Sequence, residues 1–243
     1  MKPKKNIKKH VRFTNTRFKK IEFSRAIESI SNLIINKNKI LTLSFNPGKR
    51  VYDENTISIK NQEYREWDPN KSKLCAAIFN GLNNISLNDN MNILYLGSST
   101  GTTVSHLSDI NINGKIFALD FAPRVHRELL FLAKDRKNIF PLMADVTQPL
   151  TYFSAIEQAD LIFQDIAQKD QLTPFVNNIK LYLKKNGIAI ISVKARSIDV
   201  VKRPSDIFKD FTLNLGKYVN IMEKRLLDPY EKDHCLFVVK QKK

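Results

Sequence analysis

Between residues 92 and 217 the chain switches hydrophobic period again and again, and that rhythm restricts its architecture more than any other feature. Apolar runs suited to strands occur at 92–96, 115–120, 138–143, 160–164 and 187–193. Stretches with helical spacing fall at 102–109, 123–136, 151–158, 170–184 and 204–217. Strands that each lead into a helix predict a mostly parallel sheet covered on both faces. Two more β-like runs, 218–227 and 234–240, close the chain with only "DPYEKD" between them. So short a link cannot carry a parallel crossover, so the last strand is expected to be antiparallel to its neighbour. The fold class read from this pattern is α/β, with a Rossmann-like sheet.

Upstream the pattern differs. Residues 1–20 carry Lys2, Lys4, Lys5, Lys8, Lys9, Arg12, Arg17, Lys19 and Lys20 and no acid. A phosphate-binding arm and a solvated terminus both fit this run. Residues 21–65 read as a small antiparallel β unit, with short strands in "NLII", "KILTLSF", "RVY" and "TISI" and a turn at "NPG". From 66 to 243 the α/β region follows. It opens on "SKLCAAIFNGL", where Leu74, Ala77, Ile78 and Leu82 have helical spacing and Ser72 is placed to cap.

Lys and Arg number 40 against 24 Asp and Glu, a net charge of +16. Such an excess favours a polyanion, most commonly nucleic acid, although AT-rich coding yields similar compositions. Cys75 and Cys235 are too few and too far apart for a disulfide framework or a thiol metal site, and read as reduced thiols of an intracellular protein. No apolar run is long enough to span a bilayer, and the N-terminus lacks a signal-type apolar segment. A cytoplasmic location with no membrane partner is expected.

The first strand of the alternating region runs into "GSSTGTT". Gly97 would allow close approach after the strand, and Gly101 a tight turn into the helix. Thr102 and Thr103 bring hydroxyls and N–H groups to the helix start. The third glycine of a dinucleotide fingerprint is missing, and glycine turns also occur as plain connections. Asp120, Asp145 and Asp165 end three later strands. Singly, each reads as a cap or turn former. Together they would converge on the crevice beyond the carboxyl ends of the sheet, with Asp120 about 20 residues past the loop, where a ribose-binding acid falls. A ligand with a ribose, an adenine amino group and a cationic centre suits three acids, and lacks a pyrophosphate for the missing glycine to admit. S-adenosylmethionine is such a ligand.

The blocks "LYLGSSTGTTVSHLSDI", "FAPRVHRELLFLAKDRKNIFPL", "DLIFQDIAQKDQ", "VKARSIDVVKRP" and "LDPYEKDHCLFVV" resemble the fibrillarin family, its archaeal fibrillarin-like form in particular. "PGKRVY" and "YREWDPNKSKLCAAI" extend the likeness upstream, so that it covers roughly 46–241, while 14–45 matches poorly. The resemblance implies an S-adenosylmethionine-dependent methyltransferase sheet with a small N-terminal β-rich domain. It implies an RNA ribose 2′-O-methyltransferase of box C/D ribonucleoproteins, acting on ribosomal RNA and, in archaea, transfer RNA. Its partners would be a guide RNA, the target RNA, a Nop-type scaffold protein and, through the particle, a kink-turn-binding ribosomal-type protein. The family's donor-binding residues fall on Thr102, Thr103, Asp120, Phe121, Asp145, Val146, Asp165, Ile166, Ala167 and Gln168. At Asp120 the usual acid is Glu, and at Val146 the usual residue is Ala. The family's catalytic set falls on Lys73, Asp165, Lys194 and His234.

Read from spacing alone, Lys73 is a solvated helix residue and His234 a strand-end hydrogen-bonder. Lys194 ends an apolar strand, where desolvation would lower its pKa. It is expected to contact the 2′-oxygen as base or stabiliser, oriented by Asp165, with Lys73 beyond Asp165 and His234 completing the network. Arg124, Arg127, Arg136 and Arg196 are candidates for phosphate contact. His10, His106 and His126 receive no site role. Two other readings compete: a nicotinamide dehydrogenase, disfavoured by the two-glycine loop and the charge, and a non-catalytic RNA-binding subunit, which predicts loss of Lys194 or Asp165.

Overall fold

The computed structural model describes residues 28–242, so the basic arm read at 1–20 lies outside the described residues. The N-terminal part builds a four-stranded antiparallel sheet from β1 (Leu33–Asn36), β2 (Lys39–Leu43), β3 (Thr56–Ile59) and β4 (Gln62–Trp67), in the order β1-β2-β4-β3. Both hairpins close on two residues with positive φ, Lys37–Asn38 and Lys60–Asn61, the conformation that matches strand twist. "RVY" at 50–52 forms no strand, and β4, absent from the expected strands, takes its place. The boundary expected at 65/66 falls inside β4. The alternation of β4 is masked because its buried positions hold Arg65 and Trp67, and a charge at a core position breaks the apolar period.

The larger sheet contains β5 (Asn92–Leu96), β6 (Lys115–Asp120), β7 (Ile139–Met143), β8 (Ala159–Gln164), β9 (Leu183–Lys194), β10 (Val219–Leu226) and β11 (His234–Gln241). Their order is β10-β11-β9-β8-β5-β6-β7. The first five are parallel, and β11 inserts antiparallel between β9 and β10. The helices are α1 (Lys73–Phe79), α2 (Thr102–Ile110), α3 (Pro123–Asp135), α4 (Leu172–Tyr182), α5 (Ala195–Ile198) and α6 (Pro204–Leu215). Ser72 caps α1, its hydroxyl accepting from the Cys75 N–H. The helix expected at 151–158 is a 3-10 segment at Pro149–Ala155, and α4 yields to β9 at Leu183, earlier than expected.

Alternate residues of β5 enter two cores. Ile93 and Tyr95 pack with Leu74, Val104 and Leu107, and this core continues into Ile40 and Trp67 of the small sheet. Leu94 and Leu96 pack on the other face with Phe117, Ile162, Phe175 and Phe237. Cys75 and Cys235 are free and buried. Among the described residues no helix is long and apolar enough to cross a membrane.

A buried ionic network joins the small sheet to α2. Arg65 bonds Glu54 at 2.7 Å, Asp109 at 2.6 Å and Ser105 at 3.0 Å. Arg136 reaches the other oxygen of Asp109 at 2.6 Å. Arg136 is only 1% exposed, which removes it from the phosphate-contact candidates: its charge is spent inside the molecule. Burial alone would raise the Glu54 carboxyl. The Val51 and Tyr52 N–H groups and Arg65 more than offset this and hold it below the usual glutamate range. Thr42 donates to Asp109 at 2.8 Å, so its oxygen must accept from His106 Nδ1, also at 2.8 Å. That leaves His106 Nε2 to accept from the Tyr52 hydroxyl at 2.6 Å. Burial, followed by the fields of Arg65 and Arg136, keeps His106 neutral, well below the ordinary histidine value.

Candidate active site

The strand order reverses at β5, with β6 on one side and β8 on the other. The crevice beyond the carboxyl ends of these strands is where ligands of such sheets bind. The glycine loop enters it from β5. Gly97 lies at φ +83, and an added Cβ would strike the Asp165 carbonyl oxygen and sit 2.8 Å from Ile166 Cγ2. The close approach that Gly97 permits is thus that of the chain's own backbone at the end of β8. Gly101, at φ +93, is the N-cap of α2, and a Cβ there would meet Leu132 at 2.5 Å.

The three acids stand at or just past the carboxyl ends of β6, β7 and β8, on both sides of β5, but each has a distinct setting. Asp120 accepts from the Ser99 N–H at 2.9 Å and the Ala122 N–H at 3.0 Å, so it pins the glycine loop to β6. Asp145 accepts from the N–H and hydroxyl of Thr147, the turn-forming use of an aspartate. Phe121 stands 64% exposed after β6, whereas Val146 is buried in the core at 4%. Asp165 receives Lys73 Nζ at 2.8 Å, and both side chains are between a fifth and a quarter exposed. Ile166 and Gln168 are half-buried and Ala167 exposed along the loop that follows.

Lys73 is delivered by the first turn of α1, and its neighbours explain its placement. The Thr103 hydroxyl donates to the Ser72 hydroxyl at 3.0 Å, tying the start of α1 to that of α2. Tyr95, buried in β5, bonds Thr103 and feels the charge of Asp165. Burial would lower the Lys73 ammonium, but the charge and hydrogen bond of Asp165 prevail and raise it above the ordinary lysine value. Lys73 therefore stays charged and cannot serve as a base near neutral pH.

Lys194 and His234 are register partners across β9 and β11. His234 is 5% exposed. Its Nδ1 lies 2.8 Å from the Lys232 carbonyl. A carbonyl only accepts, so Nδ1 carries the proton and Nε2 keeps a lone pair. Burial lowers the His234 pKa first, opposed by the Lys232 bond and reinforced by Lys73. The fields of both Lys73 and Asp165 reach His234, and Lys194 joins these three through its strand pairing with His234.

Two expectations change here. Lys194 is exposed rather than desolvated, because β9 ends at it and its side chain leaves the core. Asp165 bonds Lys73 and makes no bond to the Lys194 ammonium. Arg196 is engaged with Asp233 at 3.0 Å and with the carbonyls of Val200 and Lys202, which turns a candidate phosphate contact into a loop clamp. Arg124 and Arg127 are exposed on α3. Tyr95 and Glu231, whose charge reaches both Lys73 and His234, had no signal in the sequence beyond nearness to motif residues, and Ser72 was legible only as a helix cap.

A seven-stranded sheet with one inserted antiparallel strand, a glycine loop at its switch point and acids on the next strand ends defines a Rossmann-like methyltransferase. The family profile for fibrillarin matches residues 25–243, and the chain belongs to the fibrillarin family. The match thus reaches upstream of Asn46, into the stretch whose motifs were weak. The fibrillarin-like rRNA/tRNA 2′-O-methyltransferase of Pyrococcus abyssi is 47% identical over 204 residues, covering 84% of this chain and 90% of its own. The fibrillarin of Aeropyrum pernix, solved in complex with natively bound S-adenosyl-L-methionine, superposes with a TM-score of 0.76 at 39% identity, over 83% of this chain and 88% of that one. A fibrillarin/Nop5p complex gives 0.81 at 36% identity, over 86% and 97%.

Proposed function

We propose that the chain is the catalytic subunit of a box C/D guide particle, an S-adenosylmethionine-dependent RNA ribose 2′-O-methyltransferase acting on ribosomal and transfer RNA in the cytoplasm. The observation that carries this reading is the Lys73–Asp165 ion pair beside the Lys194–His234 strand pair, at the rim of an acid-lined crevice, in a chain of the fibrillarin family.

The residues present suit the methyl donor. Asp120 and Asp145 offer carboxylate acceptors for ribose hydroxyls and an adenine amino group, and exposed Phe121 offers an apolar face. Thr102 and Thr103, Gly97, Val146 and the segment Asp165 to Gln168 complete the cradle. The Asp165 carboxylate adds negative charge where a cationic centre would lie. When bound, S-adenosylmethionine supplies a methyl group already activated by its sulfonium.

The chain must therefore align a ribose hydroxyl and stabilise its oxygen as it loses a proton. Lys194, exposed at the end of β9 in the free chain, meets the incoming 2′-oxygen in this reading. Docked RNA covers it, and its ammonium then acts without competing water. Lys73 holds Asp165 in one orientation, and neutral His234 flanks Lys194 without adding a third positive charge to those of Lys73 and Lys194. A guide RNA, a Nop-type scaffold and a kink-turn-binding protein position the target. A dehydrogenase reading gains nothing from this cluster, and a decayed subunit would not keep it complete.

The test is methyl transfer from labelled donor to a guide-matched RNA in the assembled particle, with the product nucleotide identified. We expect a 2′-O-methyl group at the guided position and poor transfer by the chain alone. Efficient guide-free transfer, or a methyl group on a base or protein side chain, contradicts the proposal.

A further inference from the structure

We propose that Gln171 is a positioning residue for methyl transfer: its side-chain amide fixes the backbone of Lys194 and ties it to the donor loop. The inference rests on the reading of Lys194 as the residue that meets the 2′-oxygen.

The β8–β9 ladder runs only to Gln164 and Ile191, three residues short of Lys194. On the other side Lys194 faces His234. The next hydrogen bond to that side comes from Ala195, whose N–H donates to the Asp233 carbonyl. The N–H and C=O of Lys194 therefore point toward β8, where no strand remains. Gln171 supplies both missing partners. Its Oε1 accepts from the Lys194 N–H at 3.1 Å, and its Nε2 donates to the Lys194 carbonyl at 3.1 Å. The amide thus replaces one peptide group of the absent strand. Lys194 and His234 then form the closer, non-hydrogen-bonded kind of strand pair, with Cα atoms about 4.5 Å apart, which holds their side chains together on one face.

The same Nε2 donates to the Gln168 carbonyl at 2.9 Å, the last residue of the donor segment. Gln171's own carbonyl accepts from Gln164 Nε2 at 2.7 Å, one residue before Asp165. The buried Gln171 side chain, 1% exposed, thereby links the end of β9 to the loop, while its backbone carbonyl and the Gln164 side chain link the loop to the end of β8. Gln171 stands at the N-cap of α4, yet capping falls to Asp170, whose carboxylate accepts from the Leu172 and Thr173 N–H groups. The Gln171 amide is free for Lys194 because the helix does not need it.

The test compares single-turnover methyl transfer in the assembled particle, at saturating donor and guide-matched RNA, for the parent, Lys194→Ala, Gln171→Ala and Gln171→Glu. Gln171→Ala is expected to slow the bound-state rate at least tenfold while donor affinity changes less than threefold. Gln171→Glu nearly keeps the shape, but its carboxylate cannot donate to the two carbonyls. Its rate relative to the parent should recover as the pH is lowered and the carboxyl regains a proton, a trend a purely structural role would not produce. If Lys194→Ala is slow while both Gln171 variants match the parent at every pH, this inference is overturned and the reading of Lys194 stands. If Lys194→Ala itself matches the parent, the underlying reading fails.

Discussion

Arg65, Glu54, Asp109 and Arg136 are at most 4% exposed, and each charge is met by an opposite charge at 2.6 or 2.7 Å. Lys73 and Asp165 are more than a fifth exposed, and Lys194, beside them, is exposed with no acceptor for its ammonium among the described residues. Both groups combine cations and acids, but with opposite saturation. In the first, two guanidiniums balance two carboxylates, and Thr42, Tyr52, Ser105 and His106 extend the hydrogen bonding, with Arg136 Nη2 left without a partner. Such a network holds one arrangement, because breaking it strands a charge in low dielectric. In the second, a cation is left over at the surface. That is poor design for stability and suitable design for meeting an oxygen that becomes negative. The comparison assigns fold specificity to one cluster and chemistry to the other.

The largest effect expected is on the buried cluster. Asp109→Ala leaves Arg65 and Arg136 short of a counter-charge and should cost about 3–5 kcal/mol in denaturant unfolding. A loss below about 1 kcal/mol would erase the contrast, since exposed pairs already reach that. Next comes Tyr52→Phe, which removes the donor to His106 Nε2; leaving that buried acceptor unmet should cost about 1–3 kcal/mol. The smallest effect is a pH slope. Folded His106 stays neutral well below its ordinary value of 6.5, so only the unfolded chain takes up that proton as the pH falls through 6.5. Stability should therefore decline on acidification below 6.5, by up to about 1.4 kcal/mol per pH unit for this group. His106→Asn should flatten the limb, leaving the smaller His234 contribution of the same sign; parallel curves would mean that His106 is not the titrating group.

The two clusters also differ in how legible they were. The strands at 92–96 and 115–120 appear with the expected limits, since parallel strands buried on both faces read as unbroken apolar runs. The acids at strand ends were legible for the same reason: the runs mark where the strands stop. The buried network was not. Arginines are surface residues by default, so Arg65 hid β4 and Arg136 passed for a phosphate contact, and nothing local pairs either with Asp109. At the site, the residue types were legible but their partners were not. Asp165 bonds Lys73 rather than Lys194 because α1 brings Lys73 over the end of β8, a tertiary placement with no sequence period. Gln171 was invisible because its role depends on where a ladder ends.

The most direct test of this division of labour is Asp165→Asn, measured for unfolding in the free chain and for single-turnover methyl transfer in the assembled particle. The rate should fall at least about 100-fold, while the unfolding free energy stays within about 1 kcal/mol of the parent. A rate within threefold of the parent, or a stability loss as large as that of Asp109→Ala, would contradict it.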